Sequence, residues 1–153
     1  MRVGMVLEGG GMRGMYTAGV LDAMMENEIQ IDGIVGVSAG TVFGCNYKSK
    51  QIGRTIRYNK KYCKDPRYGS FRSLLKSGDV FDKDFCYNQL PKVLDPFDYK
   101  TFSENPMEFY ATCTDANTGK AVSEGYDQSS SRRCGERNAQ PRDLAGSSDT
   151  PGI

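Results

Sequence analysis

Gly9-Gly10-Gly11-Met12-Arg13-Gly14 and Gly36-Val37-Ser38-Ala39-Gly40 are two glycine-framed turns, each set directly after an apolar run, residues 3–7 for the first and 34–37 for the second. Continuous apolar runs of this length suit parallel strands covered on both faces. Between them, residues 14–27 carry Tyr16, Val20, Ala23 and Met24 at three- and four-residue intervals, with Asp22 and Glu26 left to face water, which is the pattern of an amphipathic helix. Strand, helix, strand is a right-handed βαβ unit, so both glycine turns fall at the carboxyl ends of neighbouring strands, where open α/β sheets bind ligands.

The second turn reads as a nucleophile elbow. Gly36 and Gly40 allow a strand to turn sharply into a helix and present the Ser38 hydroxyl at the tip. The first reads as an oxyanion loop, whose glycines let backbone N–H groups approach a developing negative charge; one such donor contributes about 3 kcal/mol to an acyl-transfer transition state. Ala39 N–H, at the start of the helix expected from residue 39 to about 47, is the second donor site. The chain has no histidine, so no Ser-His-Asp triad can be assembled from it.

GGGxRG followed by GxSxG, without histidine, resembles the patatin-like phospholipases, over residues 2 to about 125. The resemblance implies a Ser-Asp dyad with Ser38 as nucleophile, an oxyanion motif on Gly9, Gly10, Gly11, Arg13 and Gly14, a lipid or phospholipid ester substrate, and no metal or cofactor. It also implies a three-layer α/β sandwich with a mainly parallel central sheet. One part of the family pattern is missing: its Asp lies in an Asp-Gly-Gly or Asp-Gly-Ala turn after the nucleophile, and the one Asp-Gly pair here, Asp32-Gly33, precedes Ser38. Asp115 and Asp127 come later but neither is followed by glycine. The dyad is therefore expected to be incomplete and the hydrolase impaired.

Other readings compete. GxGxxG after a first strand also suits a dinucleotide pyrophosphate, but a Rossmann protein places an acid at the end of its second strand, where this chain has Val37-Ser38-Ala39-Gly40. A non-catalytic lipid- or protein-binding remnant is the second class. Arg13 is either a solvent-facing helix-start residue or a brace for the loop. Cys45 reads as a small packed thiol, and Asp82 and Asp84 as acids suited to a helix start.

At 153 residues, 38% hydrophobic and 25% charged, the composition is that of one globular domain. Five cysteines without metal-ligand spacing suggest free thiols and a cytoplasmic location, with no apolar run long enough to cross a bilayer. Residues 46–76 hold ten basic side chains (Lys48, Lys50, Arg54, Arg57, Lys60, Lys61, Lys64, Arg67, Arg72 and Lys76) against Asp65, interleaved with tyrosines and Phe71. They read as a solvated face or as a peripheral contact with an anionic membrane; no nucleic-acid module accompanies them. Further along, Phe81, Phe85 and Leu90 suggest a short helix ended by Pro91. Residues 107–114 alternate as a two-faced strand, and residues 115–119 turn it into a short strand at 121–124. From residue 129 the chain has only Leu144 and Ile153 as large aliphatics, too little apolar surface to offset chain ordering. The expected organisation is an incomplete domain over 1–127 and a disordered or out-of-frame tail over 128–153.

Overall fold

A computed structural model describes residues 1–68, 82, 84–115 and 117–126; the expected tail, Asp127, Phe71, Arg72, Lys76 and Phe81 lie outside them. The described elements are β1 (Gly4–Leu7), a 3-10 turn (Gly11–Gly14), α1 (Met15–Glu26), β2 (Gly33–Val37), α2 (Ala39–Lys48), α3 (Arg54–Tyr62), α4 (Phe85–Leu94), α5 (Tyr99–Glu104), β3 (Glu108–Thr114) and β4 (Ala121–Gly125). The strands form one sheet in the order β1-β2-β3-β4. The first three are parallel, with Val6 opposite Val35 and Val37 opposite Thr112, and β4 returns antiparallel beside β3. This is an α/β fold with a mostly parallel sheet.

Side chains alternate across a strand, so the register sorts the sheet into two faces. Leu7, Ile34, Phe109 and Ala111 share one face and are buried against Ala18 and Leu21 of α1 and Phe43 and Tyr47 of α2. Val6, Val37 and Tyr110 share the other, and are 77%, 38% and 37% exposed. The apolar run at 3–7 therefore does not signal a strand covered on both faces: among the described residues no layer lies over Val6.

The helix over 14–27 is present as α1, but rotated from the expected phase. Ala18 and Leu21 form its buried stripe while Tyr16 is 82% exposed. The reason lies in its neighbours: α1 packs against α2 and α3, and Asp22 is drawn inward to accept the Gly53 N–H at the start of α3 at 2.9 Å. A second small core joins Tyr58 and Tyr62 of α3 to Phe85 and Leu90 of α4. Asp82 caps α4 through the Phe85 N–H at 3.0 Å, and Asp84 accepts from Asn88 and Gln89. Pro91 does not end α4, which continues to Leu94. The segment is wound as a π-helix, and its wider turn carries a residue with no N–H to donate.

Candidate active site

Ser38 stands between the last residue of β2 and the first of α2, with φ 52° and ψ −119°. A non-glycine residue at positive φ is strained, at a cost on the order of 1–3 kcal/mol, and persists only where its surroundings hold it. Here two glycines let the surroundings close in. A Cβ on Gly36 would lie 2.7 Å from Thr41 N, and one on Gly40 would lie 2.7 Å from Leu7 C and 2.8 Å from Glu8 O. The helix can therefore start directly against the end of β1, leaving the serine exposed at the tip.

The glycine loop meets this tip. A Cβ on Gly9 would come within 3.1 Å of Ser38 Cβ and 3.8 Å of its Oγ, so Gly9 is the loop residue packed on the serine. Beyond it Gly11 takes φ 53° and Arg13 N donates to Gly10 O at 3.1 Å, closing the 3-10 turn. Thr41 and Val42 N–H groups both return to Ser38 O. The N–H groups of Ala39 and Gly40, ahead of them in the first turn, have no acceptor within the helix. Arg13 is exposed, and its guanidinium makes no hydrogen bond or ion pair among the described residues, so no bracing contact accompanies its place in the loop.

Asp115 is an acid downstream of Ser38 in the chain. This residue lies in the turn after β3, and its Oδ1 accepts the Asn117 N–H at 2.8 Å and the Thr118 N–H at 3.4 Å. Those bonds hold its carboxyl below the usual range, which stabilises the turn and weakens it as a base.

A cavity of 1470 Å³ opens at Ser38 and has a mainly apolar lining. Val42 and Cys45 of α2 form one wall and Met107, Phe109, Ala111 and Cys113 the floor. Lys48 Nζ donates to Met107 O at 2.7 Å, so α2 runs back from the serine to the amino end of β3. The trough between them, from Met107 to Cys113, is roughly 20 Å long at the rise of a strand. Cys45 is half-buried; the dense surroundings of its sulfur push the thiol up to about 12, and its Sγ donates to Val42 O.

The basic stretch is not one solvated face. Lys48 and Arg54 are buried and line the trough. Arg54 donates to Asn46 Oδ1 at 2.9 Å and to Asp95 O at 2.6 Å, with its Nε 3.4 Å from the Asp95 carboxylate. Arg57 grips both oxygens of that carboxylate at 2.8 Å, and Arg67 pairs with Asp65.

The sequence profile of the patatin-like phospholipases matches residues 5–145. The chain belongs to the patatin-like phospholipase family. Its members' shared chemistry is lipid hydrolysis. Among similar proteins, one from Caenorhabditis elegans named for a patatin-like phospholipase domain, M110.7, is 38% identical over 63 residues, 41% of this chain and 6% of its own length. An uncharacterized protein of Escherichia coli K12, YjjU, is 31% identical over 103 residues, 61% of this chain and 28% of its own. The chain thus spans a small part of the length of either relative. No helix among the described residues is long and apolar enough to cross a membrane.

Proposed function

We propose that Ser38 is the nucleophile of a lipid acyl hydrolase, and that the 153-residue chain performs the reaction poorly. The observation that carries this reading is the strained Ser38 backbone at the tip of β2, with Gly9 packed on its side chain. In the reaction, Oγ adds to a lipid ester carbonyl and charge collects on the carbonyl oxygen. N–H groups of Gly10, Gly11 and Ala39 donate to that oxygen, the ester C–O bond breaks as the Oγ proton passes through water to the departing alkoxide, and a second water hydrolyses the acyl-enzyme to the free acid and Ser38. The apolar trough beginning at Ser38 suits the acyl chain.

The base is the weak point. No Asp-Gly pair follows Ser38 in the chain, and Asp115 is engaged in its turn. An oxyanion hole and binding alone leave roughly a thousandfold acceleration over water in a crippled serine hydrolase, and that is the expected level. A fluorophosphonate probe should label the chain and not Ser38→Ala, with slow turnover of p-nitrophenyl butyrate lost in the same variant. Absence of both labelling and turnover would leave Ser38 idle and favour a binding remnant. Fast turnover abolished by Ser38→Ala would mean that another carboxylate serves as base.

A further inference from the structure

Four residues that line the trough are themselves more than half exposed: Tyr87 at 69%, Tyr99 at 55%, Met12 at 52% and Val42 at 51%. A side chain that walls a cavity yet faces solvent stands on its rim. These four come from separate elements. Met12 and Val42 stand at the Ser38 end, Tyr87 projects from α4, and Tyr99 stands on α5, the helix leading to the Met107 end. Tyr99 is held in place by Phe97, edge to face with ring centroids 4.9 Å apart. An apolar cavity that continues outward into an exposed apolar rim marks a surface for an apolar partner.

We propose that this rim seats on the surface of an uncharged or zwitterionic lipid layer, so that a lipid passes into the trough without crossing water. Tyrosine, with an apolar ring and a polar tip, suits the headgroup level of such a surface. The charges select among lipids. Lys48 and Arg54 are buried, and among the described lining residues the exposed charged ones are the acids Glu104 and Glu108, the latter paired with Arg2 at 2.6 Å. Such acids disfavour an anionic headgroup, and the exposed Lys50, Lys60, Lys61 and Lys64 are not among the described lining residues. The seat therefore differs from the basic stretch at 46–76. It rests on the acyl-hydrolase reading only for the fate of the lipid.

The test is sedimentation of the full chain, carrying Ser38→Ala, with vesicles of pure phosphatidylcholine and of phosphatidylcholine with phosphatidylserine, at low and high salt. Because this variant cannot react, the result is independent of whether Ser38 is a nucleophile. Binding to pure phosphatidylcholine that salt leaves unchanged is expected, with a loss of about tenfold or more in Tyr87→Asp/Tyr99→Asp. Hydrogen exchange read without those substitutions should show protection at residues 85–94 and 99–104 on adding phosphatidylcholine vesicles, and none at 57–64. Binding confined to phosphatidylserine vesicles and abolished by salt would overturn the proposal. So would no binding to phosphatidylcholine, undiminished binding by the double variant, or protection at 57–64 alone.

Discussion

At the scale of single residues, Ser38 just before α2 and Cys45 about two turns along it show how position decides chemistry. Ser38 precedes the first turn of α2, where exposed N–H groups favour a developing anion. Cys45 is half-buried in the wall, where desolvation disfavours its thiolate. The thiol stays protonated in the folded chain from 9.0 to about 12, while an unfolded chain loses the proton there. Stability should therefore fall as pH rises through that window. Urea midpoints measured on either side of the window would check it, and Cys45→Ala should lessen the fall. Iodoacetamide near pH 8.5, the ordinary thiol range, should reach the exposed Cys63 and Cys113 well before Cys45, as mass spectrometry of digests would report.

Among the elements, the join between α2, α3 and the end of α4 depends on one guanidinium. Arg54 is 6% exposed at its side chain and ties Asn46 to Asp95. Arg54→Ala leaves the Asp95 carboxylate with the half-exposed Arg57 and removes the donors that satisfy Asn46 and the Asp95 carbonyl. Leaving a buried acceptor without its donor costs about 1–3 kcal/mol, and a urea midpoint lowered to match is the expected outcome. The elements themselves were largely legible. Two glycine turns after apolar runs sufficed for β1, β2, α2 and the serine at the tip, because close backbone approach restricts those positions to glycine. Helix phase was not legible, because Tyr16 and Val20 satisfy a helical period as well as Ala18 and Leu21 do. Only the packing of α2 and the pull of Gly53 on Asp22 choose between them. Nor was the fate of the basic residues, since Lys48 and Lys50 are alike in sequence, yet Lys48 ends α2 against the Met107 carbonyl while Lys50 lies past the helix and is exposed.

For the whole molecule, the sheet face left exposed among the described residues is the dominant feature. Val6, Val37 and Tyr110 form an apolar strip beside the polar Thr112 and Ser123 pair, whose hydroxyls are 2.9 Å apart. Such a strip on a free chain favours self-association. Sedimentation velocity should show mass rising with concentration, and Val6→Thr should shift the distribution toward monomer without lowering the urea midpoint appreciably. The sheet also has a seam in time. β1 and β2 are joined through the single short helix α1, so they can pair early, whereas β2 waits for β3 across α2, α3, α4 and α5. Closing so long an interval is entropically costly and slow, and until it happens α2 has only half of its floor. In the order of assembly the serine turn should thus form first and the trough beneath it last, so that a newly made chain carries its strained tip before the cavity beside it exists.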